Sequence, residues 1–192
     1  KLNNLWIGLD NGIDYSKTSS PLYHVQKRGG FGMGYSASLF EKKLYVGTNQ
    51  GLYYIPYDQE SKASSEFIDF KLIDRAKGQV WLLKILDGKL FVCHNFGLFV
   101  IENGQLSETG IIDGAWDIIK VPFLSNKYLI GAYHGFYIYD AITGAVNYIQ
   151  GFDNSARRFV FDSDNNLLVG HGYNGIYKLK IDFDNYTSTM ID

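Results

Sequence analysis

Three of the four histidines in this 192-residue chain, His94, His134 and His171, fall in short polar loops that each join two apolar runs. The same loops carry Asn95, Tyr133 and Tyr173. Trp81 and Trp116 stand near the starts of other apolar runs, and Arg157 and Arg158 directly precede Phe159-Val160-Phe161. Aromatic platforms combined with amide, imidazole and guanidinium donors suit a sugar or another polar organic ligand. In such a site Trp81 and Trp116 stack against a ring, and Arg157 or Arg158 grips a carboxylate or sulfate. Each residue also has a packing explanation. The histidines either line one shared face or occupy a loop position that favours a side chain able to cap backbone groups. Loop asparagines are explained by tolerance of positive φ and by local hydrogen bonding. The two tryptophans share a repeat position, where packing between units also accounts for them. Strand alternation sends one of the two arginines outward.

Other chemistries are excluded more firmly. Gly-x-Ser-x-Gly, P-loop and His-Glu-x-x-His motifs are all absent. Asp162 and Asp164 lie in a turn at the other end of the strands, so they are not read as a hydrolase pair. The only acid–base set for a propeller lyase is His94 or His171 with Arg158 and Tyr133. No catalytic residue and no cofactor is therefore expected. A zinc site built from the three histidines lacks any tight ligand spacing, so no metal is expected either. The lone cysteine, Cys93, rules out an internal disulfide. Eighteen basic residues against 20 acidic ones, interspersed, leave a net charge of −2 and no electrostatic basis for nucleic-acid binding. No apolar run approaches the roughly 18 residues of a membrane helix, so a membrane would be reached only through a helix outside this segment. The chain starts at Lys1 without Met or a signal peptide, which reads as an excised or processed piece.

The elements that position these residues come from a repeat. One phrase recurs five times: Leu5-Trp6-Ile7-Gly8 with Gly12, Leu44-Tyr45-Val46-Gly47 with Gly51, Leu90-Phe91-Val92-Cys93 with Gly97, Leu129-Ile130-Gly131 with Gly135, and Leu168-Val169-Gly170 with Gly175. Successive second glycines are 39, 46, 38 and 40 residues apart. An apolar run precedes the phrase (Ser36 to Phe40, Val80 to Leu86, Trp116 to Val121, Phe159 to Phe161), and a turn such as Asp87-Gly88 separates the two. A weaker run follows at Phe67 to Ile73, Leu106 to Ile112, Val146 to Gln150 and Tyr186 to Ile191. Four strands per roughly 40 residues make the blade of a β-propeller.

The expected fold is all-β: a propeller segment of four-stranded antiparallel blades, about four complete and one partial. Blade limits fall near 1–34 (partial), 35–78, 79–113, 114–152 and 153–192. Stacked blades bury both faces of each sheet, which explains an aromatic content of 16% and near-continuous apolar strands. Cys93 stands where the other phrases have glycine and reads as a small buried residue. Propellers close with about 4–8 blades, so this piece belongs to a larger ring or closes by association.

The phrases "LWIGLDNGIDY", "LYVGTNQGLYYI" and "LLVGHGYNGIYKLKID" resemble two-component-regulator propeller repeats of Bacteroidetes-type signalling proteins. Their order resembles the C-terminal blades of the triple-tyrosine-motif regulators. There the propeller is followed by a triple-tyrosine β-sandwich, one membrane helix, a coiled coil, and either a LuxR-type helix-turn-helix or a histidine kinase and response regulator. The resemblance spans essentially the whole chain. It implies a periplasmic, non-catalytic sensor segment and a homodimer formed through the parent receptor, while the loop residues named above suggest a carbohydrate, another polar ligand or a partner as what is bound. A purely structural repeat is the alternative. The family supplies no fixed catalytic residues to carry over.

Overall fold

The computed structural model describes residues 4–9, 12–17, 31–57 and 70–191. The first two strands, β1 (Asn4–Leu9) and β2 (Gly12–Lys17), form an antiparallel pair. Four four-stranded sheets follow. Blade two comprises β3 (Gly34–Phe40), β4 (Lys43–Thr48), β5 (Gly51–Pro56) and β6 (Lys71–Lys77). Blade three comprises β7 (Val80–Leu86), β8 (Lys89–His94), β9 (Gly97–Glu102) and β10 (Gln105–Glu108). Blade four holds β11 (Ala115–Lys120), β12 (Lys127–Ala132), β13 (Phe136–Asp140) and β14 (Val146–Ile149). Blade five holds β15 (Arg158–Phe161), β16 (Leu167–His171), β17 (Gly175–Asp182) and β18 (Thr187–Met190). Each sheet is an antiparallel meander in chain order, and the described residues contain no helix. This is the expected segment of a β-propeller.

The turns obey the local rules. Asp87 and Gly88 have φ of 46° and 77°, the two positive values that a type I′ hairpin requires. Glu41 and Lys42 adopt the same form at 46° and 57° without a glycine. The outermost strands differ from expectation. The run expected at Phe67 to Ile73 is observed at Lys71–Lys77, and residues 67–69 lie outside the described set. The run expected at Leu106 to Ile112 stops at Glu108. There the Thr109 backbone N–H and hydroxyl both donate to the Leu98 carbonyl, at 3.2 and 2.8 Å, and turn the chain away.

Packing explains why the phrase recurs. Strand alternation gives each blade two apolar faces, and three buried clusters fill the junctions between blades two and three, three and four, and four and five. Tyr45, Leu52, Leu98 and Phe136 are fully buried there, and burying such side chains stabilises by about 1.5–3 kcal/mol each. The first strand of each blade lies against the first strand of the next. That approach is close. Val80 sits directly over Gly47, and the Ala156 carbonyl and Phe159 ring sit over Gly131. Cys93 occupies the same position in blade three, fully buried, and burial pushes its thiol pKa up. Polar ties cross the junctions as well. The Leu83 N–H donates to Ser36 Oγ at 3.0 Å, and Lys84 pairs with Asp117 at 2.9 Å. Asp87 accepts from Lys120 at 2.9 Å and from the Tyr128 hydroxyl.

Gly131 and Gly170 occupy the same repeat position with opposite surroundings. A methyl group on Gly131 would overlap backbone, whereas one on Gly170 would meet only Arg158, at 3.9 Å. Gly131→Ala is therefore expected to cost about 3 kcal/mol and Gly170→Ala less than about 0.5 kcal/mol, measured by urea denaturation.

Candidate functional site

Three of the four innermost strands begin with a β-bulge, and the extra residue is aromatic each time. Register shifts fall between Gly34 and Ser36, Val80 and Leu82, and Ala115 and Asp117. The unpaired residues are thus Tyr35, Trp81 and Trp116. Ser36, Leu82, Asp117 and Arg158 pair with Gly47, Cys93, Gly131 and Gly170 in turn. Arg157 is therefore the fourth member of the set. A bulge frees its residue from the ladder and re-aims its side chain. Here the four side chains form a row running from blade to blade.

Tyr35 stacks on Trp81 with centroids 5.4 Å apart, and Trp81 meets Trp116 at 4.7 Å. The Arg157 guanidinium lies 4.8 Å over the Trp116 ring, within cation–π range. Tyr133 braces the row from the loop after β12. Its ring packs on Trp116 at 4.8 Å, and its hydroxyl accepts from Trp81 Nε1 at 3.0 Å. Trp116 Nε1 donates to Ser155 Oγ at 2.9 Å. Both indole N–H groups are thus satisfied, and neighbouring rings occupy much of both indole faces. The packing account of the tryptophans is the one this geometry supports. The surface left to a ligand is the edge of the row, the guanidinium, and the loop residues around it.

The three histidines do not form one face. His94 is fully buried, and its Nδ1 accepts from the Phe96 N–H at 3.1 Å. Its buried Nε2 completes no hydrogen bond, although the Ala76 and Lys77 backbone lies close. Burial pulls its pKa down to about 4, so the ring is neutral at pH 7. His171 also caps its own turn, with Nδ1 accepting from Tyr173 and Asn174 at 3.3 and 3.2 Å. In blade two the equivalent residue is Thr48, whose hydroxyl oxygen accepts from Gln50 and Gly51 at 3.0 and 3.1 Å. Backbone capping therefore explains His94 and His171. His134 stands elsewhere in its loop, exposed, with Nδ1 against the Asp113 carboxylate. Among the described residues, no three His, Cys, Asp or Glu side chains gather closely enough to hold a metal.

Asn95 is a clamp. Its Oδ1 accepts from the Gln79 N–H at 2.7 Å, and its own N–H donates to the Gln79 carbonyl at 2.9 Å. Asn49 holds Met33 in the same way. Blade four has Tyr133 at this position, which keeps the backbone bond to Asp113 at 3.2 Å and turns its side chain into the row. Tyr173 is almost fully exposed, and Arg158 faces outward from blade five. The structure thus gathers Trp81, Trp116, Tyr133 and Arg157. It buries His94 and makes Asn95 part of the frame. Tyr35, Asp113 and Ser155 were missed as site residues. A signal for Tyr35 existed, since it precedes Gly47 by twelve residues just as Trp81 precedes Cys93. One groove lies elsewhere, lined by Phe123, Leu124, Ile181 and Phe183, and none of the candidate residues borders it.

Comparisons with known proteins give the fold a setting. No family model and no protein of curated function matches the chain. Two structures of the extracellular domain of BT4673 from B. thetaiotaomicron match it. The one described as a hybrid two component system is 18% identical with a TM-score of 0.59, covering 94% of this chain and 25% of that one. The one described as a one component system is 20% identical with a TM-score of 0.64, covering 98% and 26%. The extracellular domain of the hybrid two component system BT3049 from the same organism is 14% identical with a TM-score of 0.59, covering 83% and 24%. The chain spans about a quarter of the length of these relatives, and at such identities the likeness is one of fold.

Two outcomes test the geometry. In the unfolded chain a histidine titrates near 6.5, but folded His94 titrates near 4. Between those values the unfolded state binds more protons, so stability is full above pH 6.5 and falls as pH drops toward 4, by on the order of 3 kcal/mol. His94→Thr, which borrows the Thr48 cap, should flatten that slope in denaturation curves taken from pH 7 to 4. Trp81→Phe should keep the stack, lose the bond to Tyr133 and cost about 1 kcal/mol in urea.

Proposed function

We propose that this chain is a propeller portion of the extracytoplasmic sensor region of a membrane-anchored signal-transduction regulator, acting in the periplasm by binding and not by catalysis. One observation carries the reading: 98% of the chain superposes on a single extracellular domain of a signalling protein with a TM-score of 0.64. The phrase resemblance to two-component-regulator propellers supports it independently of coordinates. In the parent protein a triple-tyrosine sandwich, a membrane helix and a transcription-regulating or kinase output would follow. No helix among the described residues is long and apolar enough to cross a membrane. A binding role also fits the chemistry. A lyase needs a free base, whereas His94 is sealed in the core and His171 Nδ1 is committed to its own turn.

The binding surface we favour is the mouth around the bulge row, where Arg157, His134, Asp113 and Tyr173 are exposed beside half-buried rings. Guanidinium, carboxylate, imidazole and phenol groups around an aromatic edge suit a carbohydrate, with Arg157 addressing an acidic substituent. Ligand held there would bias the orientation of neighbouring blades and so the geometry of a receptor dimer.

A thermal-shift screen of the chain against neutral and acidic oligosaccharides tests this. The expected result is a Tm rise with an acidic saccharide that Arg157→Ala and Tyr173→Ala both abolish. A rise that survives both substitutions removes this mouth from the reading, and no rise with any saccharide favours the purely structural repeat.

A further inference from the structure

The loops at the end of the strands away from the bulge row are not alike. In blades two and three the first hairpin closes with a tight turn, Glu41-Lys42 and Asp87-Gly88. In blade four the same connection, between β11 and β12, takes residues 121–126, Val-Pro-Phe-Leu-Ser-Asn. Stacking of blades does not require the extra length, since the other two junctions form without it. The loop folds on itself, with the Leu124 N–H donating to the Val121 carbonyl at 3.3 Å, and reaches across to blade five. There the Phe123 ring meets Phe161 and Phe183 with centroids 5.5 and 5.7 Å apart and planes at 78° and 69°. Phe123 is still 42% exposed. The neighbouring turn of blade four is tied to this loop by the Ala141 N–H, which donates to the Asn126 carbonyl at 2.9 Å, and it holds Ile142 in solvent at 76% exposure. Two grooves open here, of about 630 and 250 Å³. Leu124, Phe183 and Asp184 line both, so the two run on from each other. The larger adds Phe123, Ile181 and Asp182, and the smaller adds Ile138 and Tyr186.

We propose that this end of the junction between blades four and five is a docking groove for a polypeptide segment that carries apolar and basic residues side by side. The apolar half of the match comes from Phe123, Leu124 and Phe183, partly exposed side chains at the mouth of a junction whose interior is already filled. Charge selects the other half. Lys127, beside the smaller groove, is held by Asp140 at 2.7 Å. That leaves Asp182 and Asp184 against the Lys180 ammonium along the walls. The Asn185 side chain and backbone N–H hold the Asp182 carboxyl below the usual carboxylate range, so it is ionised at neutral pH. Asp182 also accepts from the Asp184 and Asn185 N–H groups at 3.0 Å each, which fixes the turn that presents Asp184. Carboxylates beside apolar side chains on a rigid turn favour a partner with apolar anchors and guanidinium or ammonium groups. Three phenylalanine rings that share no plane offer recesses for side chains and no flat platform on which a sugar could stack. The groove is built from blades four and five alone and lies at the opposite end from the rim mouth, so this inference is independent of the ligand reading.

Fluorescence anisotropy with short labelled peptides tests it on the chain as it stands. One peptide is built from Leu and Arg, one from Ser and Arg, and one from Leu and Glu. The Leu–Arg peptide is expected to bind, and the other two at least about tenfold more weakly, because each lacks half of the match. Asp184→Lys changes an exposed turn side chain, so it should leave the Tm unchanged and weaken the Leu–Arg peptide by at least about tenfold. Phe123→Ser, which removes an apolar wall, should weaken it to a similar degree. No binding of the Leu–Arg peptide overturns the proposal, and so does an affinity that Asp184→Lys leaves unmoved. Equal binding of the Ser–Arg peptide overturns it as well, by reducing the attraction to charge alone. Displacement of the Leu–Arg peptide by a neutral oligosaccharide would make a carbohydrate the occupant and overturn it too.

Discussion

The close landing of one blade's first strand on the preceding blade's second strand governs this architecture. Glycine at 47 and 131, and a buried thiol at 93, keep that distance short. A short distance lets Leu52, Leu98 and Phe136 reach across and lose all contact with water. Each junction then resembles a domain core in its packing, and no single blade needs a core of its own. The inter-blade ties between Lys84 and Asp117, and between Asp87 and both Lys120 and Tyr128, join chain segments that the same approach has brought together.

Much of this was legible from residue order because the constraint is local and periodic. A small residue at the end of one strand and a glycine opening the next must recur wherever a blade is covered, so the phrase betrayed both strand count and stacking. Cys93 could be read as a buried stand-in for glycine from its position alone. The outer strands were read less well. They are held by fewer neighbours, and their ends depend on single caps such as Thr109 on the Leu98 carbonyl. Register slips of a few residues leave little trace in composition there.

The site was legible in its residue types and not in its depth. His94 and His171 cap equivalent turns, yet His94 is sealed while His171 remains half-exposed. Part of the difference is Gly78, which lies so near that an added Cβ would stand 2.7 Å from His94 Cε1. No feature of the His94 loop itself reports that neighbour. Trp81 and Trp116 were weighed as stacking platforms or as packing, and their filled faces and satisfied indoles favour packing. Tyr35 was not singled out with Trp81 and Trp116, although the same bulge sets all three apart from their strands. Arg157 and Arg158, adjacent in sequence, part company at a strand end: the first precedes β15 and joins the row, and the second opens the ladder.

That offset has an evolutionary corollary. A residue that takes part in no ladder pair answers to no cross-strand partner, so replacing it leaves the hydrogen-bond register of its sheet in place. The four positions at 35, 81, 116 and 157 already hold Tyr, Trp, Trp and Arg. The rim of the molecule can thus change in charge and shape without moving strand register, at the cost of contacts within the row such as that of Trp81 with Tyr133. Insulating recognition from folding in this way would let one inherited framework be retuned many times over.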